Sequence, residues 1–147
     1  MKAMIEAMSA QDIGIAIEAE DYLLSLEQLD IATYHTLHAG VYTRTIHLAA
    51  GCTISGALIR VDTTLIVTGH MRILIGSDIQ DYDGVSLITA SKNRKQVMTA
   101  VGTASITMVF ASNASTVQEA EDEFTVESDK LMSRQDGMVN ILNGEMI

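Results

Sequence analysis

Four basic residues in the middle of the chain have the charge and hydrogen-bonding capacity to bind a small anion. Arg60 lies between two apolar residues. A short cationic cluster follows at Lys92, Arg94 and Lys95. Arginine can donate two parallel N–H bonds to a phosphate or carboxylate, and lysine adds a compact charge. The pattern indicates an anion site. The alternatives are that the cluster is a solvated turn and that Arg60 pairs with an acid.

Two further side chains are candidates to complete such a pocket. Tyr42 could stack on a base or contribute to a subunit interface. His47 alternates with Val41, Thr43 and Thr45 on a predicted strand. A cavity-facing His47 would contact the ligand, whereas the competing interpretation is a hydrogen-bonded structural histidine.

The remaining histidines and the single cysteine offer weaker chemistry. His35 and His38 are three residues apart and could share a metal ion only on a helix, whereas Ala39-Gly40 and the β-branched residues that follow favour strands. Cys52 has no base that the sequence can assign to it, so it is interpreted as a small packed residue.

Composition restricts the classes of function. The chain has 147 residues, 48% of them hydrophobic, which suits one folded domain. Its net charge is −10, which disfavours binding to DNA or RNA. No apolar run reaches the roughly 18 residues of a membrane span, and the N-terminus lacks the basic start and apolar block of a signal peptide. We therefore expect a cytoplasmic protein with no nucleic-acid polymer or membrane partner.

The sequence divides into four predicted zones. Residues 1–29 form an amphipathic helical segment, and residues 30–111 read as a series of short strands typical of a sandwich or barrel. Residues 112–134 return to helix, and the tail at 135–147 is predicted to be flexible. Turns must rely on Gly, Asn and Asp, because the chain contains no proline.

Several local signals position these elements. Ser9 is a predicted N-cap, and Thr116 with Glu119 forms a predicted capping box. Residues 41–48 alternate on a two-residue period and predict a strand. Gly69-His70 lies between two apolar runs and predicts a hairpin turn.

The order of these signals resembles a family of small, mostly uncharacterised cupin-like proteins encoded by tailed phages and prophages. The resemblance is carried by residues 34–44, by Gly51, by Gly56-Ala57-Leu58 and by residues 116–124, and it extends over roughly 30–134. It implies a mainly β, cupin-like (double-stranded β-helix or jelly-roll) barrel with helices at both ends. It also implies a homo-oligomer of phage or prophage origin that acts in the cytoplasm of the bacterial host.

The same resemblance implies that the metal site of the fold is degenerate here. Relatives that look metal-competent carry histidines and a glutamate at the positions of residues 59–63, which here read Ile-Arg-Val-Asp-Thr. The second cupin motif, aligned on Gly84, places Lys95 and Thr99 at the histidine and asparagine positions. Because a divalent cation needs converging neutral or anionic donors, neither a metal nor another cofactor is expected.

Three functions follow as hypotheses. The first is a non-enzymatic protein that binds, and can thereby sequester, a small anion such as a host signalling nucleotide. Its ligand-binding residues would be Arg60, Lys92, Arg94, Lys95, Tyr42 and His47. The second is a structural or accessory phage protein in which the barrel is an assembly unit. The third is a metal-dependent enzyme with His35, His38, His47 and Asp62 as ligands.

Overall fold

The computed structural model describes residues 4–147, which fold mainly into β-strands, with helices near both ends of the chain. This confirms the mainly β prediction. The first half contains β1 Met4–Ile5, α1 Ala10–Leu24, β2 Thr33–His38, β3 Val41–Leu48, β4 Thr53–Ser55 and β5 Thr63–Ile75. The second half contains β6 Asp78–Ala90, β7 Val97–Ala111, α2 Val117–Phe124, two 3-10 turns at Ser128–Lys130 and Met132–Arg134, β8 Asn140–Leu142 and β9 Glu145–Met146.

The strands form one hydrogen-bonded sheet that curls around a single core. Their order is β1-β6-β5-β7-β3-β2-β8-β9, and β4 pairs with the start of β7. Most pairs are antiparallel, and β1–β6 and β2–β8 are parallel. Buried side chains from both halves of the long strands meet in one apolar cluster that includes Val67, Ile73, Met98 and Ile106. Burial of this cluster is the main stabilising contribution to the fold.

A glycine in the middle of β5 bends the sheet without ending the strand. The backbone of Gly69 has φ +87°, and the pairing register with β7 shifts between Gly69 and Met71. A Cβ at Gly69 would lie 2.2 Å from the carbonyl oxygen of Thr103. The predicted hairpin at Gly69-His70 is therefore wrong, because this glycine allows close approach of β7. The β5–β6 turn lies instead at Gly76 and Ser77.

The two helices begin where their caps were predicted. The Ser9 side chain accepts a hydrogen bond from the backbone of Asp12, and Thr116 accepts one from Glu119. α1 lies against β4 and β7. α2 packs inward through Phe124, whose ring lies near those of Tyr42 and Phe110.

The C-terminal tail was predicted to be flexible, and the structure shows ordered pairing instead. β8 extends the sheet beside β2, and β9 pairs with β8. The Asn143 side chain accepts a hydrogen bond from the backbone N–H of Leu37 and donates one to its carbonyl. The amide of Asn140 binds His35 and the Ser133 carbonyl. These long-range contacts have no local sequence signal.

Candidate functional site

Arg60, the first predicted anion ligand, binds the C-terminal end of α2. Its Nε donates to the carbonyl oxygen of Glu123 at 3.1 Å, and its Nη2 donates to that of Asp122. The carbonyls at a helix C-terminus have no intrahelical partner and carry partial negative charge, so a cation there stabilises the helix. Arg60 therefore has a structural partner in the chain.

Lys95, another predicted anion ligand, is almost fully buried and ion-paired. Its Nζ lies 2.9 Å from a carboxylate oxygen of Glu20, 3.7 Å from one of Glu127 and 2.9 Å from the carbonyl of Gly56. The Ser55 hydroxyl also donates to Glu20. Lys95 thus connects α1 and the segment after α2 to the sheet, and its donors are directed at these acids.

Lys92 is exposed, and its backbone organises the neighbouring loop. The N–H of Lys92 donates to Asp62 Oδ1 at 2.8 Å, which joins the loop after β6 to the start of β5. The structure therefore separates the cationic cluster. Lys92 faces solvent, Lys95 binds carboxylates, and Arg94 between them is directed into the protein.

Arg94 is the exceptional member, because it is 1% exposed and its hydrogen-bond partners in the described part of the chain are all neutral. Its Nε donates to Gln96 Oε1, its Nη1 to the carbonyls of Ala90 and Ser91, and its Nη2 to Thr63 Oγ1 at 2.7 Å. No carboxylate within residues 4–147 forms an ion pair with it. Burial lowers the pKa of Arg94 to about 10, and the charge of Asp62 opposes part of that shift. Arg94 therefore remains a cation near neutral pH.

A second buried donor lies next to this guanidinium. Gln96 is 6% exposed, and its Nε2 has no hydrogen-bond partner among residues 4–147. Its other amide atom, Oε1, accepts from Arg94. An unpaired buried N–H group costs about 1–3 kcal/mol. Arg94 and Gln96 together therefore form a region rich in donors, in which no carboxylate of residues 4–147 is ion-paired with the guanidinium.

An open cleft adjoins this region. It has a volume of about 410 Å³, within the range of small-ligand sites. Three of its lining residues, Thr63, Ala90 and Ser91, are also hydrogen-bond partners of Arg94. The remaining lining residues are Asp62, Thr64, Thr89, Val109, Phe110 and Ala111. The cleft therefore combines hydroxyl groups, one carboxylate and an apolar wall with a cation behind it.

Tyr42 and His47, predicted to complete the pocket, lie on opposite faces of β3. Tyr42 is fully buried, and its hydroxyl lies 2.7 Å from Nδ1 of His35. His47 is exposed and packs edge-to-face on Tyr34, with ring centroids 5.2 Å apart. Because side chains alternate along a strand, these two residues cannot line one pocket. Neither lines the cleft beside Arg94.

His35 and Tyr42 belong to a buried polar network under α2. Arg44 Nη1 binds Glu121 Oε2 at 2.7 Å, and Arg134 Nε binds Glu121 Oε1 at 2.9 Å. Burial is the largest influence on the His35 pKa and lowers it from its ordinary value of 6.5. The network connects β2 and β3 to α2, and no local sequence pattern predicts it.

The histidines proposed for the metal hypothesis do not converge. His35 faces the core, whereas His38 and His47 are exposed. Within residues 4–147 no three His, Cys, Asp or Glu side chains are arranged to hold a metal ion. Cys52 is buried, and burial raises the pKa of its thiol, in keeping with the packed role predicted for it.

The sequence pointed to Arg94 but not to its surroundings. Thr63, Ser91 and Gln96 were missed, because hydroxyl and amide residues in strands are common and give no signal by themselves. Their positions flank the predicted motifs directly, however. The only available indication was that they lie within two or three residues of Arg60 or Arg94.

The sequence matches no protein-family profile, and no curated protein is similar to it. Solved structures with a similar arrangement include a cupin-2 domain protein of Shewanella frigidimarina, with 11% identity over 62% of this chain and 90% of that one and a TM-score of 0.46. A cupin superfamily protein of Desulfitobacterium hafniense has 12% identity over 60% of this chain and 84% of that one, with a TM-score of 0.47. An RmlC-like cupin with a double-stranded β-helix fold from Methanocaldococcus jannaschii has 14% identity over 59% of this chain and 92% of that one, with a TM-score of 0.46.

None of the helices described by the structure is both long and apolar enough to cross a membrane.

Proposed function

We propose that this chain is a non-enzymatic binding protein that holds a small anion in the cleft beside Arg94. The observation that carries the proposal is a fully buried guanidinium whose hydrogen-bond partners within residues 4–147 are all neutral and which lies behind a cleft of about 410 Å³. A charge in a low-dielectric interior is costly unless an opposite charge approaches it. An anion in the cleft would supply that opposite charge.

Thr63 is the residue that connects Arg94 to the ligand. Its Oγ1 accepts a hydrogen bond from Arg94 Nη2 at 2.7 Å. A threonine hydroxyl that accepts in this way retains its own proton for donation. Because Thr63 lines the cleft, that proton can be donated to a phosphate or carboxylate oxygen. A hydrogen bond polarised by the guanidinium is stronger than one from an isolated hydroxyl.

Asp62 shapes the specificity of the cleft. Its carboxylate lies at the rim, where it accepts the N–H of Lys92 and repels a simple anion. A ligand that also carries hydroxyl groups could donate to this carboxylate, and Val109 and Phe110 offer an apolar surface. A nucleoside phosphate combines these three properties. In a phage-infected or prophage-carrying bacterium, such a protein would sequester a host signalling nucleotide.

The experiment is isothermal titration calorimetry with inorganic phosphate and with nucleoside mono-, di- and cyclic phosphates. We expect Thr63→Val to weaken binding of the best ligand by about 10- to 150-fold, since a hydrogen bond to a charged group contributes about 1.5–3 kcal/mol. Asp62→Asn should strengthen binding of inorganic phosphate. The control is Thr103→Val, at an exposed strand position outside the cleft. Absence of binding across the set, or an unchanged affinity in Thr63→Val, would contradict the proposal.

A structural role in assembly is the second candidate. It is favoured by one observation that does not depend on the proposed ligand: the outward residues of β2, β3 and the adjoining parts of β5, β6 and β7 form an exposed sheet face without Asp, Glu, Lys or Arg.

A further inference from the structure

One face of the sheet is exposed and carries no charged side chain. It consists of the outward-facing residues of β2, β3 and the adjoining parts of β5, β6 and β7, within residues 34–38, 41–47, 64–68, 85–89 and 105–111. Every outward position in these ranges is exposed or half-buried, and the alternate positions face the core. None of the outward residues is Asp, Glu, Lys or Arg. We call this surface the uncharged face.

The composition of this face is unusual for a surface open to water. Typical surfaces consist of about 25–35% charged residues, and this protein has a net charge of −10. One row across the strands reads Leu87, Ile66, Thr107, Thr45 and Tyr34. Leu87 is 66% exposed. α1 contacts β4 and β7, and β4 pairs with residues 97–99 of β7, outside the ranges of this face.

The hydroxyl groups of the face are partly satisfied within the sheet. Thr45 Oγ1 and Thr107 Oγ1 lie 2.7 Å apart on neighbouring strands, and Thr68 is hydrogen-bonded to Ser105. Burying a hydroxyl is costly when it loses water without gaining a partner. Because these hydroxyls pair laterally, the threonine methyl groups can be covered at lower cost. The face is therefore suited to contact with another protein surface.

We propose that the uncharged face binds the same face of a second copy of this chain, giving a two-fold symmetric, face-to-face dimer. Two molecules that each carry a charge of −10 repel one another, and this repulsion is least where neither surface is charged. Two sheets that pack face to face through Thr, Val, Ile and Leu form the interior of a β-sandwich. A two-fold axis requires a self-complementary patch, which a uniform face provides.

The area is close to that of a specific dimer. The ranges that define the face hold 29 residues, which at about 3.4 Å along a strand and about 4.8 Å between strands cover roughly 470 Å² in projection. Two such faces bury about 950 Å², close to the roughly 1,000 Å² expected of a biological interface. The dimer would also border the ligand cleft, since Thr64, Thr89 and Val109 belong to both surfaces. The inference does not rest on the ligand proposal.

The test is sedimentation velocity without added ligand, from about 1 to about 100 µM protein. We expect the wild type to dimerise and Thr107→Arg, which places a charge at the centre of the face, to weaken association at least tenfold. Leu87→Lys, on β6, should weaken association in the same way and serves as the second variant if Thr107→Arg folds poorly. The matched control is Val126→Lys, which changes a residue with 68% exposure outside the face and should leave the dimer intact.

Salt provides an independent readout of the same interface. Raising sodium chloride from about 0.02 to about 0.5 M screens the repulsion between the acidic molecules and should strengthen the dimer. An interface built on ion pairs would respond in the opposite direction. A wild type that stays monomeric over the whole concentration range, or face variants that associate as strongly as Val126→Lys, would overturn the proposal. Dimerisation lost in the face variants alone would support it, whether or not any nucleotide binds.

Discussion

Substituting Glu121 by Gln should destabilise the protein more than any other single change of a carboxylate to its amide. Glu121 has a side chain 1% exposed and is bound by Arg44, Arg134 and Ser133. Burial raises the pKa of Glu121, but hydrogen bonds from Ser133 and Arg134 and the charge of Arg44 outweigh it and hold the pKa below its usual value. The substitution keeps the size of the side chain and removes its charge.

The magnitude follows from the exposure of the two arginines. Removing one partner of a fully buried ion pair costs about 3–5 kcal/mol, because the other charge is left without compensation. The side chains of Arg44 and Arg134 are 14% and 24% exposed, so water can partly replace the carboxylate. We therefore expect a loss of about 2–4 kcal/mol in the free energy of unfolding. For a chain of this size that lowers the melting temperature by roughly 4–16 °C.

Urea denaturation followed by circular dichroism measures this change. The control is Asp136→Asn, which alters an exposed carboxylate that forms no ion pair in the described part of the chain and should shift stability by less than about 0.5 kcal/mol. If Glu121→Gln and Asp136→Asn had equal stabilities, the network would contribute nothing to the fold, and the reasoning from burial would be refuted.

Three further perturbations test other parts of the structure. Gly69→Ala should destabilise the protein by several kcal/mol, because the new Cβ would overlap the Thr103 carbonyl at a φ of +87°. Gly14→Ala, in a helix with open space around it, should instead stabilise the protein by up to about 1 kcal/mol. Similar melting temperatures for the two variants would show that β5 does not bend at Gly69. Stability should fall as the pH drops below about 6.5, because the lowered pKa of His35 keeps it neutral in the folded state while the unfolded chain takes up a proton. His35→Gln should remove that part of the pH dependence. An unchanged pH profile in the variant would contradict this role of His35. Lys95→Met should lower the free energy of unfolding by about 1–3 kcal/mol, a value reduced because the two acids are partly exposed. It should also speed hydrogen exchange in α1, and unaltered exchange there would show that Lys95 does not hold the helix.

Features set by neighbouring residues were predictable from the sequence. The bounds of β3 follow from its alternation, and the caps of α1 and α2 follow from a hydroxyl residue three positions before its bonded N–H. The bend at Gly69 was not predictable, because a glycine between two apolar runs can form a turn or a bulge. Which of the two forms is determined by the approach of Thr103, which lies on a strand distant in the sequence.

The candidate site shows the same division between local and long-range information. The sequence marks Arg94 as a cation within a possible motif, and the structure retains it as the centre of the candidate site. Arg60 and Lys95 carry the same charge in the same motifs, but helix termini and acids elsewhere in the chain bind them. The sequence does not show which groups a cation binds, so only the fold distinguishes an arginine with neutral partners from cations bound by helix termini or carboxylates.

Native mass spectrometry of the protein mixed with a pool of nucleoside phosphates tests the central claim most directly, since it identifies the ligand by its mass. We expect a mass increment of one nucleotide per chain in the wild type and in Thr103→Val. The increment should be greatly reduced in Thr63→Val, where the contact with Arg94 is lost. An increment of equal intensity in all three proteins would place the ligand outside the cleft. Spectra of the wild type without any increment would contradict the proposed function itself.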